Sequence, residues 1–414
     1  MVSKVGLGGY PPTEKKKYRF FVLGLVHLPT SEKYTACAFT QKNYKLCKML
    51  LSLGHEVFLL GAGGSDAPCT ELIVTHTLKD IRDAWGEGDN RFEIGYDWHK
   101  GMFRHDFNTE KKPATLKYYQ EAINGINKRK KPDDFLIITQ GVYQKPIDDG
   151  VKLYLTVETG IGYRGSYTQF RGWESAFIQN YKYGSENNAG DANGRYYDCV
   201  IGNYFDRKDF VFSNKPKDYF LYIGRMIGRK GVTTAIEATR AAGKRLKLIG
   251  QESDEINVKS LPEHCEFLGL ANKDMRNELF GGAIATFTPT IYLEPFAGTH
   301  VESMLCGTPV ITTNFGVFGG DTFIDGIHGF KCSTLDDFVW ATKNAHRLDR
   351  KEVRRNGERY LMENIQWEYQ RWFDRLYQLY LSTTGKGIWG FNHLPEKEYE
   401  WRKHVYPHLY QNDV

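Results

Sequence analysis

No two cysteines of this chain stand in a Cys-x-x-C spacing, and the seven present are odd in number and scattered. That excludes a disulfide framework and a zinc ribbon and points to a reducing compartment, taken here as cytoplasmic. No apolar run approaches the roughly 18 residues of a membrane span. The longest, Phe20–Leu28, is strand-sized. The N-terminus holds Lys15, Lys16 and Lys17 but no apolar core with a small-residue cleavage site, so no signal peptide is expected. A P-loop is missing, and no dinucleotide glycine fingerprint follows the first strand, which disfavours a Rossmann-type oxidoreductase. Gly61-Ala62-Gly63-Gly64 follows the second strand and reads as a turn. Excess charge is scarce too: net +5 on 414 residues permits an anionic ligand without demanding nucleic acid.

What is present is ordinary globular material: 41% hydrophobic and 25% charged residues, enough for two or three domains with real cores. Tyrosine and phenylalanine are abundant, at 26 and 25, and serve either as core filling or as stacking surfaces. The pattern predicts strand Tyr18–Val26, helix Thr40–Leu53 ended by Gly54, and strand His55–Leu60, a β–α–β start that implies a parallel sheet. Asp66–Asn108 is weakly patterned and reads as loops. Thr115–Asn127 and Ser175–Tyr183 read as helices; Phe135–Thr139, Leu153–Val157 and Tyr197–Ile201 read as strands. The charged stretch Asp206–Asp218 reads as a linker. Alternation then restarts, with strands at Tyr219–Ile223, Leu246–Ile249, Cys265–Leu268, Ala283–Thr288 and Pro309–Thr312. Helices are expected at Val232–Ala242, Met275–Phe280, Thr299–Leu305, Asp336–Arg347 and Arg350–Met362. Two α/β halves imply a ligand cleft between them.

Three segments of the second half carry chemistry. In Gly224-Arg225 through Lys230, a strand runs into a turn whose two cations precede a helix, a good placement for phosphates. In Glu294-Pro295-Phe296-Ala297-Gly298-Thr299-His300-Val301-Glu302, two carboxylates flank a turn into a helix; the free N–H groups of Gly298 and Thr299 face an anion and Glu302 can accept from vicinal hydroxyls. Cys306-Gly307-Thr308-Pro309-Val310 stops that helix and returns to a strand. Taken singly, the cations could be surface groups and the carboxylates a helix cap and a solvated side chain.

Together, in this order, the segments resemble the donor domain of retaining GT-B glycosyltransferases of family 4. The resemblance is clear over about 219–312, extends to about 370, and is loose in the first half, where Gly54-His55-Glu56-Val57 is similar to a common second-strand entry. It implies an α/β GT-B fold of two Rossmann-like domains facing a cleft. The N-terminal acceptor domain would cover 1–210 and the nucleotide-sugar domain 211–370. A helical tail at 371–414, with amphipathic Trp367–Tyr380, would cross back to the first domain. It implies metal-independent, retaining transfer of a hexose or similar sugar from a UDP- or GDP-sugar to a hydroxyl of a glycan or other acceptor, with no cofactor. Arg225 and Lys230 would grip the diphosphate and Glu294 the donor sugar, these three being the catalytic set. Glu302 would hold the ribose, and the backbone of Phe296, Ala297 and Gly298 would assist Glu294. Gly224, Thr299 and, near the base, Leu270 complete the donor site. The metal-holding Asp-x-Asp of GT-A transferases is missing here.

The chain departs from that family in three places. Ala297 stands where glycine is usual. Val26-His27-Leu28-Pro29-Thr30 replaces a Gly-Gly turn. Val157-Glu158-Thr159-Gly160-Ile161-Gly162-Tyr163-Arg164 occupies the place of a loop that often carries histidine. His27, Glu158, Tyr163 and Arg164 are therefore the acceptor-side candidates, with a structural histidine and a loop carboxylate as the plain alternatives. Lys128-Arg129-Lys130-Lys131 reads as a solvated helix end. Two other functions stay open: a DNA-modifying glycosyltransferase acting on hydroxylated bases, and a nucleotide-sugar-binding module without turnover.

Overall fold

Short apolar runs form the centres of two all-parallel sheets in the computed structural model, which describes residues 16–34, 37–85, 111–186, 194–320, 322–383, 392–398, 400, 402–403 and 406–410. The first sheet uses β1 (Arg19–Leu23), β2 (Glu56–Ala62), β3 (Glu71–His76), β4 (Phe135–Ile138), β5 (Leu155–Ile161), β6 (Phe170–Trp173) and β7 (Cys199–Val200). Their order is β3-β2-β1-β4-β5-β6-β7. The second sheet uses β8 (Phe220–Ile223), β9 (Leu246–Ile249), β10 (Cys265–Phe267), β11 (Thr286–Thr288), β12 (Val310–Thr313) and β13 (Gly329–Cys332), ordered β10-β9-β8-β11-β12-β13. In each sheet the chain reverses its winding direction beside its first strand, between β1 and β4 and between β8 and β11. Loops at the carboxyl ends of those strands open a crevice, the place where doubly wound folds take ligands.

The central strands are legible because parallel strands covered on both faces are apolar throughout; Phe20, Phe135, Phe220 and Phe287 have no exposed surface. Two differences from the sequence reading concern edges. Within the stretch read as loops stand β3 and the helix Leu78–Trp85, while residues 86–108 lie outside the described residues. β3 has one strand neighbour and only alternates burial, so its pattern is weak. β13, which carries Lys331, was missed for the same reason.

The last long helix, Met362–Ser382, begins ahead of the 371 boundary and packs against the first sheet. Its buried Ile365, Tyr369, Trp372, Phe373 and Leu376 follow helical spacing. Phe373 meets Phe20 with ring centroids 4.8 Å apart, and Trp372 donates to the Tyr197 carbonyl at 2.9 Å. Asp374, buried, accepts from the Tyr18 hydroxyl at 2.6 Å and from Gln370 at 2.9 Å. Burial pushes its carboxyl up to about 6, against the opposing pull of those hydrogen bonds and of Lys16. An unfolded carboxyl titrates near ~4, so the native chain retains a proton that the unfolded chain loses. This contribution to stability is full below about pH 4 and is lost as pH rises through about 6. Asp374→Asn keeps an oxygen for both donors and has no proton to lose. Its melting temperature relative to the parent is expected to climb between about pH 4 and 7, by several degrees in total. A difference that is flat with pH would refute the assignment.

Candidate active site

The second sheet sets out the predicted cations and carboxylates along one wall of the cleft. Gly224 follows β8, and its N–H donates to the Ile249 carbonyl at 3.0 Å. The Tyr222 hydroxyl reaches forward to the Arg225 carbonyl at 2.9 Å, fixing the turn from below. The Arg229 carbonyl accepts from the N–H groups of Ile291 and Tyr292 at 3.0 and 3.2 Å, which ties the turn after β8 to the loop after β11. That tie brings Lys230 onto Glu294 as an ion pair, although 64 positions separate them. Arg225, half-buried, lines the same cavity, and no described residue pairs with its guanidinium.

Helix Thr299–Leu305 starts at Gly298. It is held at its height by Ser303, whose hydroxyl donates to the Thr308 carbonyl at 2.9 Å and can accept from the Thr286 hydroxyl 2.8 Å away. Just before it, Ala297 has φ of 61°, in the left-handed region where an alanine costs on the order of 1 kcal/mol. The turn is therefore glycine-like in shape with a methyl added. His300 fixes it: its Nδ1 lies 2.6 Å from the Ala297 carbonyl, which can only accept, so Nδ1 carries the proton. Burial pushes His300 down to about 4, so it stays neutral at ordinary pH. Phe296 is buried against Tyr360 and His300.

Two cavities adjoin here. The first, about 370 Å³, is walled on the second-domain side by Gly224, Arg225, Lys230, Glu294 and the 296–299 turn. The second, about 670 Å³, shares Gly298 and Thr299 and adds Leu270 and Glu302. Glu302 pairs with Arg276, a residue that sequence reading missed because no motif surrounds it. Lys45, from the first domain's helix Ala38–Ser52, also lines the larger cavity; burial lowers its pKa. Both cavities are closed on the far side by first-domain residues. The domains touch where the Ser175 hydroxyl donates to the Pro295 carbonyl at 2.6 Å and where Lys273 approaches Glu32 at 3.6 Å.

The acceptor-side candidates divide. Tyr163 lines the smaller cavity. Glu158 is fully buried and turned into its own domain, accepting from the Tyr163 hydroxyl at 2.8 Å and the Tyr167 N–H at 3.1 Å; burial raises its pKa. Arg164 is exposed and His27 is buried near Trp85, and neither borders the two cavities. Phe39, Lys42, Glu174 and Asn203 form the first-domain wall instead. Among the described residues no group of three or more His, Cys, Asp or Glu side chains is arranged to hold a metal, and no helix is long and apolar enough to cross a membrane.

Residues 205–358 match the family described as glycosyl transferases group 1. An uncharacterized glycosyltransferase of Methanocaldococcus jannaschii is 25% identical over 170 residues, covering 39% of this chain and 48% of that protein. The chain thus matches about half the length of that curated relative. Among solved structures, AviGT4, a glycosyltransferase involved in avilamycin A biosynthesis, superposes with a TM-score of 0.58 at 18% identity over 87% of this chain and 98% of its own. Sucrose-phosphate synthase from Thermosynechococcus elongatus gives 0.59 at 14% identity over 87% and 100%. Anabaena HepE, solved in complex with UDP and glucose, gives 0.54 at 13% over 86% and 98%. The chain has the two-domain α/β GT-B fold, and within it residues 205–358 carry the match to the glycosyl transferases group 1.

Proposed function

We propose that this protein transfers a sugar from a nucleoside diphosphate sugar, with UDP or GDP leaving, to a hydroxyl of a glycan or other acceptor. The observation that carries the reading is one cleft in which Arg225, Lys230, Glu294 and Glu302 converge, all inside the family-matched segment. When the anomeric C–O bond breaks, negative charge grows on the terminal phosphate. Arg225, with no described protein partner, is free to meet that charge. Lys230 is held beside it by Glu294. Cations fixed in advance in a partly dry cleft stabilise such charge without reorganisation. Metal independence is part of the proposal: the two cations would supply the positive charge that the departing diphosphate needs. Glu294 would take hydroxyls of the donor sugar, and Glu302, steadied by Arg276, those of the ribose in the larger cavity. Retention of configuration rests on the resemblance to family 4, and a cytoplasmic setting on the free state of all seven cysteines.

A DNA acceptor finds less support. Arg129 pairs with Glu71, and the Lys130 ammonium donates to the Val151 carbonyl at 2.5 Å. The run Lys128–Lys131 precedes β4, at the amino ends of the strands, whereas the cleft lies at their carboxyl ends.

Melting the protein with saturating UDP, GDP, ADP, CDP or dTDP tests the donor assignment. A ligand at about 100 times its Kd adds about 2.7 kcal/mol, and one diphosphate is expected to raise Tm by several degrees. No rise with any diphosphate would remove the donor site. A rise with no hydrolysis or transfer of the matching sugar nucleotides would favour a binding module.

A further inference from the structure

The segment that ends β5 and forms the loop after it reads Gly160-Ile161-Gly162-Tyr163-Arg164-Gly165, a Gly-x-Gly-x-x-Gly spacing. It leads to β6 without a helix, so it lacks the context of a dinucleotide loop. Its first two glycines make room for side chains. Gly160 has φ of 60°, and a Cβ there would stand 2.7 Å from the Lys42 side chain. A Cβ on Gly162 would stand 2.5 Å from Glu174 Oε2 and 2.7 Å from Pro295 across the domain boundary. The loop thus shapes a slot in which Lys42 and Glu174 form an ion pair, with the Lys42 ammonium also donating to the Gly160 carbonyl at 2.9 Å. Both side chains are largely buried and both line the smaller cavity, opposite Arg225, Lys230 and Glu294.

We propose that Glu174, oriented by Lys42, binds a hydroxyl of the acceptor, and that this acceptor is an uncharged sugar ring. The inference rests on the glycosyl-transfer reading above. Lys42 bonds Oε1 of Glu174, and no described residue donates to Oε2, which leaves a carboxylate oxygen for a hydroxyl. Hydrogen bonds to an ionised acceptor are the strong kind. The Phe39 and Tyr163 rings, with centroids 5.7 Å apart and planes at 49°, form an apolar corner beside the pair that suits the C–H face of a pyranose or furanose. Lys42 and Glu174 neutralise each other, and among the described residues no other charged first-domain side chain lines this cavity. Of the described side chains on this wall, an acceptor phosphate would meet a carboxylate and a lysine already paired with it.

The test measures diphosphate release from the donor chosen by the melting screen, with glucose, fructose and maltose against glucose 6-phosphate, fructose 6-phosphate and a short DNA duplex. Neutral sugars are expected to stimulate release, and more than their phosphorylated counterparts. Glu174→Gln should lower kcat/KM for the neutral acceptor by about 10- to 100-fold, largely through KM, with diphosphate Kd within about twofold of the parent as the check on folding. Phe39→Leu, which keeps apolar bulk without the ring, should raise acceptor KM. Lys42→Met should resemble Glu174→Gln, and Lys42→Arg should recover part of the loss, as a positioning role requires. Preference for a phosphorylated sugar or DNA, no stimulation by any neutral sugar, or an unchanged acceptor KM in Glu174→Gln would overturn the inference. A parent protein that binds no diphosphate would instead show that the glycosyl-transfer reading has failed, and this inference with it.

Discussion

Alanine at Arg225 or at Lys230 is expected to cut turnover by about 100-fold or more, equivalent to about 2.7 kcal/mol of lost transition-state stabilisation. The two variants should differ in everything else. Arg225 has no described protein partner, so its removal strands no charge and the melting temperature should hold. Lys230 is paired with a Glu294 that is only 12% exposed, so Lys230→Ala leaves a half-dry carboxylate alone and should cost a little stability. Glu294→Gln added to Lys230→Ala should return that stability without returning activity, because the two residues share one interaction and their effects will not add. Steady-state kinetics with the matching sugar nucleotide, beside thermal melts of all four proteins, measure both halves. Near-normal turnover in both single variants would remove the diphosphate role from this turn.

Much of the second half could be read from the sequence. Helix Thr299–Leu305 and strand Leu246–Ile249 have the bounds expected of them, because a Gly–Thr start, a Cys–Gly stop and a short apolar run are strong local signals. The predicted donor-side residues come together for a related reason: Arg225, Lys230, Glu294 and Glu302 lie on the segments that follow the neighbouring strands β8 and β11, and the parallel sheet aligns the ends of those strands. The first-domain wall could not be read this way. Lys42 and Glu174 are 132 positions apart and meet only because β5, β6 and the helix Ala38–Ser52 converge on one crevice. The loop Val157–Arg164 drew notice through its carboxylate, yet Glu158 lies on β5 and faces inward. What that loop gives the cavity is Gly162 and Tyr163. β6 hides because Arg171 interrupts its apolar run; the strand tolerates it because the Arg171 Nε donates to the Thr168 carbonyl at 2.9 Å.

Arg350→Met is expected to be the most destabilising of these substitutions, by about 3–5 kcal/mol, with melting of the second domain lowered by on the order of 10 °C. Arg350 begins the helix Arg350–Glu358 and is 6% exposed. No described carboxylate pairs with its guanidinium. It donates instead to the carbonyls of Ser213 at 2.8 Å, Ala283 at 2.9 Å and Gly281 at 3.0 Å, and to the Thr308 hydroxyl at 2.6 Å. These acceptors belong to the segment between the sheets, the end of helix Lys273–Gly282, and the turn that follows helix Thr299–Leu305. Burial alone pushes the guanidinium down to about 10, still far above neutral pH, so the charge is retained and the carbonyls satisfy it. Methionine fills similar space but leaves three carbonyls and a hydroxyl without their donor. Lysine keeps the charge yet cannot span acceptors on several sides, so Arg350→Lys should fall between parent and methionine. Because Thr308 stands at the stop of the helix bearing Glu302, loss of Arg350 should also weaken diphosphate binding before the domain melts. Calorimetric melting with diphosphate titration below Tm reads both. An Arg350→Met protein with parental Tm would show that water serves these carbonyls as well as the guanidinium does.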